Sequence, residues 1–277
     1  MDEGPQTRSD IRRLLSERGH EPNQSYGQNF LADPGVVADI VSVADVEGRS
    51  VVEIGAGTGT LTKALAAVAS RVVAVEIDRH LVPVLESETA ALDNVDVVCA
   101  DATTLEFVDG LDGDDAGGGW VMVSNLPYNV GTGIVLDALR RASRINRFVV
   151  MVQKEVGERF LAGPGSKVYG VPSVIVGLHA HGRIALRVPR HVFEPAPAVD
   201  SVVVVLDRVE QPGEAEQAIA LAQAGFGQRR KMLRKSLGSA MDDPSKVLEA
   251  AGIDGTLRAE ELAPSDYVDL ARLGEQR

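Results

Sequence analysis

The stretch Asn125-Leu126-Pro127-Tyr128 combines residue types suited to a demanding piece of chemistry. The apolar run Val121–Val123 before it reads as a buried strand of an α/β sheet, where working groups sit just past the carboxyl ends of strands. Pro127 fixes its own φ and pushes Leu126 into an extended conformation. Asn125 is therefore presented from a stiff loop, with Tyr128 directly after the proline. An exocyclic amine on a flat base is a poor nucleophile, because its lone pair is conjugated with the ring. The Asn125 side-chain carbonyl and a main-chain carbonyl such as that of Leu126 can both accept hydrogen bonds from such an amine. Those bonds draw the nitrogen toward a tetrahedral shape and aim its lone pair. An aromatic face such as Tyr128 can stack on the base. The same four residues also suit an ordinary strand-to-helix turn, so their neighbours must decide.

Upstream, SVVEIGAGTGTLTKAL from Ser50 reads as a buried strand, a glycine loop (Gly55, Gly57, Gly59) and a helix. The glycines let a ligand approach the backbone closely at a helix N-terminus. A dinucleotide fingerprint needs a third glycine at position 60, and Thr60 stands there. With Glu53 before it, the spacing suits a different nucleoside ligand. Glu76 ends the next strand, RVVAVEID from Arg71, at about the 20-residue interval typical of a ribose-binding acid. A third strand, VDVVCAD from Val95, ends in Asp101, which can accept from an adenine amine or cap the following turn.

The elements that position these residues follow in order. Ile11, Leu14 and Leu15 mark a helix in the N-terminal arm. The segment Gly27-Gln28-Asn29-Phe30-Leu31 is an entry loop, or lines a ligand, before a helix opened by Asp33-Pro34. Residues 109–119 read as an acidic, glycine-rich surface loop. A helix is expected over Ile134–Ala142, and a strand then a helix over Phe148–Leu161. Residues 163–170 form a loop that can face substrate. Strand-like runs follow at Val174–Ala180, Ala185–Phe193 and Ser201–Val209. Three prolines stiffen the segment from Val188 to Pro197. The sequence leaves open whether Phe193 is a second aromatic wall opposite Tyr128 or a core residue, and His191 reads as a loop histidine. Beyond residue 208 the pattern turns helical: Ala215–Phe226, Arg229–Ser239, Pro244–Ala251, Leu257–Leu262 and Ser265–Leu273. The basic residues Arg229, Arg230, Lys231, Arg234 and Lys235 repeat at helical spacing with no intervening acid, which suits phosphate contact. The division expected is 1–208, with 1–30 as an arm, and 209–277.

Composition bounds the remaining possibilities. The chain has 277 residues and is 44% hydrophobic but only 4% aromatic, so its core is built mainly from Val, Leu, Ile and Ala. Its single cysteine, Cys99, excludes an internal disulfide, matches no zinc spacing and reads as a small buried hydrophobe. A reducing, cytoplasmic setting follows. No segment reaches the roughly 18 apolar residues of a membrane span, and the N-terminus lacks the apolar core of a signal peptide. The net charge of −12 runs against a nucleic-acid partner, apart from the basic cluster. Most basic residues are arginine, and a surface this acidic fits a salty interior where repulsion is screened.

Together these stretches identify a family. GQNFL (27–31), VEIGAGTGTLT (52–62), VEID (75–78), AD (100–101), NLPYN (125–129), FEPAPAVDS (193–201) and FGQRRKML (226–233) occur in order and span nearly the whole chain. The chain resembles the ribosomal RNA adenine N6-dimethyltransferases, on the small-subunit rather than the antibiotic-resistance branch. The resemblance implies a class I, Rossmann-like α/β methyltransferase with a seven-stranded, mostly parallel sheet and a small all-α C-terminal domain. It implies S-adenosyl-L-methionine as cofactor, held around Asn29, Leu31, Gly55, Gly57, Glu76, Asp101 and Asn125. Asn125, Leu126 and Tyr128 would face the target adenine with Phe193 opposite, and Arg229, Arg230, Lys231 and Arg234 would meet RNA. The partner implied is small-subunit rRNA in an immature ribosomal subunit, bound by a monomer and dimethylated at two neighbouring adenosines of the 3′-terminal hairpin loop. Two rivals are a large-subunit rRNA or protein-glutamine methyltransferase and a non-catalytic assembly factor. Thr60 and NLPY disfavour a nicotinamide dehydrogenase.

Overall fold

The computed structural model describes residues 4–23, 27–104, 111 and 119–275. Apart from Leu111 and Gly119, the glycine-rich loop expected at 109–119 lies outside the described residues, as do Ser25 and Tyr26. Two compact units emerge: residues 1–157 with 183–207, and residues 158–182 with 208–277. The sequence expectation was a single division after residue 208, whereas here residues 158–182 group with 208–277.

The strands among the described residues, all in the first unit but for residues 180–182 and 208, are β1 (Phe30–Leu31), β2 (Ser50–Ile54), β3 (Arg71–Glu76), β4 (Val95–Cys99), β5 (Trp120–Asn125), β6 (Ile145–Gln153), β7 (Ala180–Val188), β8 (Phe193–Glu194) and β9 (Ser201–Arg208). Seven of them form one sheet in the order β4-β3-β2-β5-β6-β9-β7. The pairs from β4 to β6 are parallel and β9 runs antiparallel to β6. β2 and β5 are buried along almost their whole length, which is why SVVEI and WVMVS read as continuous apolar runs with no alternation. The small pair β1–β8 sets Leu31 opposite Phe193.

The helices are held at their starts by local chemistry. α1 (Arg8–Glu17) opens on a reciprocal cap between Thr7 and Asp10. α2 (Pro34–Ala44) opens on Asp33, whose Oδ1 accepts from Val36 N at 3.0 Å, with Pro34 in the first turn. α2 and α3 (Thr60–Ala66) cover the core built from Val51, Val72, Val121 and Val149. α4 (Val82–Thr89) and α5 (Gly131–Arg141) follow β3 and β5 respectively.

Order along the strands departs from expectation at three places, the first being the run expected over Ala185–Phe193, which divides into the end of β7, a 3₁₀ turn at Arg190–Val192 and the start of β8. Cys99 is exposed, not buried, because β4 is the edge strand of the sheet. Val174–Ala180 is not a strand: Val171–His179 forms helix α7, following α6 (Lys154–Phe160). Pro172 sits in its first turn and Ser173 Oγ accepts from Gly170 N at 3.2 Å. Its apolar run is buried at Val174, Ile175, Val176 and Leu178, so it carries no periodicity to distinguish helix from strand.

The second unit also contains α8 (Ala215–Gly227), α9 (Leu233–Ser236), α10 (Pro244–Ala250) and α11 (Pro264–Glu275). The helix expected over Arg229–Ser239 is mostly absent: only the short α9 and a 3₁₀ turn at Leu237–Ser239 form there. The amides of Leu233 and Arg234 donate to the carbonyls of Leu257 and Gly255 at 2.8 and 3.2 Å, so long-range partners replace intrahelical ones. Leu257–Leu262 likewise contracts to a 3₁₀ turn at Ala259–Glu261. Tyr169, in the loop expected to face substrate, is buried, with its hydroxyl donating to Leu262 O at 2.8 Å and its ring edge-on to Phe226.

Candidate active site

Strand order reverses between β2 and β5, and a crevice opens past the carboxyl ends of strands at such a switch point. The β2–β5 ladder pairs Val51 with Val121 and Val52 with Met122. Two residues further on, Ser124 Oγ accepts from Ile54 N at 2.9 Å, so a side chain takes up the amide beyond the main-chain pairing. The glycine loop after β2 and the Asn125–Tyr128 loop after β5 both line the crevice there.

The glycines are required by shape. Gly55 and Gly57 have φ of 74° and 58°. A Cβ on Gly55 would lie 3.3 Å from Pro127 Cδ, and one on Gly57 would lie 3.1 Å from the Phe30 ring. Only bare backbone lets these segments converge. Gly55 N and Ala56 N donate to Val75 O at 2.8 and 3.2 Å, tying the loop to β3.

Glu76 braces the same loop, with Oε2 accepting from Gly57 N at 2.8 Å and Oε1 from Asp78 N at 2.9 Å. Burial pushes its carboxyl above the usual range, against the pull of the Asp78, Gly57 and Ile77 amides. Of the roughly four lone-pair sites on its two oxygens, these three amides leave one for a further donor. Glu53 lies deeper still. Burial raises its pKa to about 8, despite a hydrogen bond from Thr62 Oγ1 at 2.6 Å, and Glu76 adds to the rise. Asp101 Oδ1 is engaged by Thr103 N and Oγ1 at 2.8 and 2.7 Å, the capping role open in the sequence, while Asp101 also lines the crevice.

On the other wall, Asn125 Nδ2 donates to Asn29 O at 2.9 Å. Because a main-chain carbonyl can only accept, this contact orients the amide and leaves Oδ1 as its acceptor. Asn29 Nδ2 is itself held by Gly27 O at 3.0 Å. Leu126 N donates to Met151 O at 3.2 Å, and Pro127 O accepts from Gly131 N at 2.8 Å, so the loop is fixed at both ends. Tyr128 O–H and Ser201 Oγ lie 2.6 Å apart. Burial raises the Tyr128 phenol, which keeps it neutral.

These walls enclose a cavity of about 390 Å³, the size of a small-ligand site. Of the residues expected at the cofactor and the base, Asn29, Leu31, Gly55, Gly57 and Glu76 border it, and Asp101, Asn125, Leu126 and Tyr128 complete it. Phe193 does not. Its ring is fully buried in the core cluster that also holds Leu31, the second of the two places the sequence left open for it. β8 turns Phe193 inward and leaves its neighbour Glu194 to Arg12, whose Nε and Nη2 donate to the carboxylate at 3.0 Å each.

The ribosomal RNA adenine dimethylase family model matches residues 19–275. The chain belongs to that family. Ribosomal RNA small subunit methyltransferase A of Moorella thermoacetica is 42% identical over 272 residues, covering 94% of each chain. The enzyme of the same name from Leifsonia xyli subsp. xyli is 42% identical, with 95% of this chain and 96% of that one covered. Among solved structures, a dimethyladenosine transferase from Plasmodium falciparum superposes with a TM-score of 0.74 at 24% identity, over 87% of this chain and 95% of that one. The 23S rRNA methyltransferase ErmE gives 0.66 at 25% identity, over 90% and 100%.

As a dimethylase, the chain has donor chemistry that fits its expected cofactor. A buried carboxylate with a lone pair to spare suits a ribose hydroxyl, and the two positive-φ glycines bring bare backbone to the cavity wall against Pro127 and Phe30. Gln28, in the segment open to lining a ligand, borders the cavity and its Nε2 donates to Asp78 Oδ2 at 2.8 Å. Residues missed in the sequence are Thr58 and Thr60, which also line the cavity. Their hydroxyls inside the glycine loop were the signal that could have found them. In the second unit, Arg229 Nη2 donates to Glu260 Oε2 at 2.9 Å, so one expected RNA contact has a protein partner. Arg230, Lys231, Arg234 and Lys235 are exposed, on a turn and short helix and not along one helix face.

Proposed function

We propose that the chain transfers methyl groups from S-adenosylmethionine to N6 of two adjacent adenosines in the 3′-terminal hairpin loop of small-subunit rRNA. The observation that carries this is the fixed Asn125 amide, whose Nδ2 is committed to Asn29 O and whose Oδ1 is left to accept. A neutral acceptor beside the Leu126 carbonyl suits an adenine NH₂, and the Tyr128 ring offers a face for the base. Glu76 would hold the cofactor ribose, Asp101 its adenine amine, and the Gly55–Gly57 backbone its amino-acid end. When bound, the sulfonium supplies an electrophilic methyl group.

The protein's own part is orientation, which supplies up to roughly 7–11 kcal/mol of barrier reduction in well-aligned transfers. Asn125 Oδ1 and the Leu126 carbonyl turn the amine's lone pair toward the donor side of the crevice. The amine proton is lost to water, so no strong general base is needed. The site acts on an immature small subunit in the cytoplasm, with the protein as a monomer and Arg230, Lys231 and Arg234 as phosphate contacts. Unmodified small and large ribosomal subunits incubated separately with labelled donor test this reading. Dimethyladenosine in the small-subunit rRNA alone is expected. Label in the large subunit, or in neither, overturns it.

A further inference from the structure

Gln6 lies in the N-terminal arm, far in sequence from the glycine loop, yet its side chain is buried against it with 4% exposure. Its Oε1 accepts from Thr58 Oγ1 at 2.6 Å and from Thr60 Oγ1 at 2.7 Å. Its Nε2 donates to Thr58 O at 2.7 Å and to Glu88 Oε2 at 3.1 Å. All four hydrogen-bonding positions of the amide are therefore filled. The Thr58 carbonyl can only accept, so the amide cannot be turned round without breaking hydrogen bonds.

We infer that Gln6 is a positioning residue for the cofactor: it holds the glycine loop, through Thr58 and Thr60, in the conformation that receives the donor. The inference rests on the proposed use of this cavity for S-adenosylmethionine. Thr58 and Thr60 both border the cavity, so the amide acts one residue away from the ligand. Thr60 occupies the place of the third glycine in a dinucleotide fingerprint, and its hydroxyl there serves Gln6. The arm carrying Gln6 is secured elsewhere: Arg8 and Arg12 of α1 pair with Glu194 of β8. Glu88 is also paired, with Lys63 of α3. The amide is thus a fixed bracket between the arm and the loop.

The chemistry distinguishes glutamine from glutamate. An ionised carboxylate at position 6 could accept from both threonines but would face the Thr58 carbonyl and Glu88 with no hydrogen to give. Protonated, it regains one donor. Binding of S-adenosylhomocysteine by calorimetry, with thermal melting of the same samples, is the test. The wild type should bind; if it does not, the cofactor reading of the cavity fails and not the role of Gln6. Q6E should bind about tenfold more weakly at pH 8 and recover as pH falls toward 5.5, a profile the wild type lacks. T60V, which removes one of the amide's two hydroxyl partners and leaves the arm's own residues unchanged, should weaken binding in the same direction at every pH and raise the donor KM with kcat largely kept. Folded variants that bind within twofold of wild type, or that lose melting temperature with unchanged affinity and no pH profile, overturn the inference.

Discussion

Asn125 and Glu53 show how two polar side chains at one crevice are given different tasks by their partners. Asn125 has its donor committed to a main-chain carbonyl, so N125A should abolish methyl transfer while S-adenosylhomocysteine binding stays within a few-fold of wild type. Near-normal turnover in that variant would refute the role of the amide. Glu53 is a neutral acid at moderate pH because its carboxyl is buried. Its folded pKa of about 8 stands above the ordinary 4.5, so between those values the folded state keeps a proton that the unfolded chain releases. That contribution to stability is fully present below about pH 4.5 and is lost as pH rises toward 8. E53Q should remove it: in thermal melts from pH 5 to 8, wild type should lose stability relative to the variant. Parallel curves would show that Glu53 ionises normally. The sequence made Asn125, Glu76 and the glycines legible because each stands at a strand end with a fixed spacing. Phe193 was undecidable, since an aromatic beside prolines fits a ligand wall and a core equally well.

The elements explain why the crevice is open at all. The main-chain pairing of β2 with β5 covers two residues, and beyond it Ser124 Oγ, not a backbone carbonyl, satisfies Ile54 N. S124A leaves that buried amide without its partner and should cost about 1–3 kcal/mol in chemical denaturation. A change within error would mean that another group satisfies the amide. The parallel sheet was readable from its apolar runs because strands buried on both faces show no alternation. The same property hid α7. Its residues are buried too, and an apolar run of that length does not declare a period. The Arg229–Ser239 segment failed for the opposite reason: its local sequence has a helical rhythm, but the carbonyls of Gly255 and Leu257 compete for its amides.

At the scale of the whole chain, charge is segregated. The net charge is −12, yet Arg230, Lys231 and Arg234 stand exposed close together. Alanine at all three should weaken small-subunit binding and reduce its salt slope by roughly one for each phosphate no longer neutralised, with donor binding unchanged. An unaltered slope would place the RNA-binding surface elsewhere. The division of the chain bears on its synthesis. Residues 158–182 belong with 208–277, so α7 leaves the ribosome well before α8 and α11, the helices against which it packs. Until the last helix is made, its Val174, Ile175 and Leu178 have no complete burial site, whereas the glycine-loop half is already in hand. A nascent chain stopped after residue 208 should therefore be captured by chaperones or sediment as aggregate, and release of α11 should be the event that frees it.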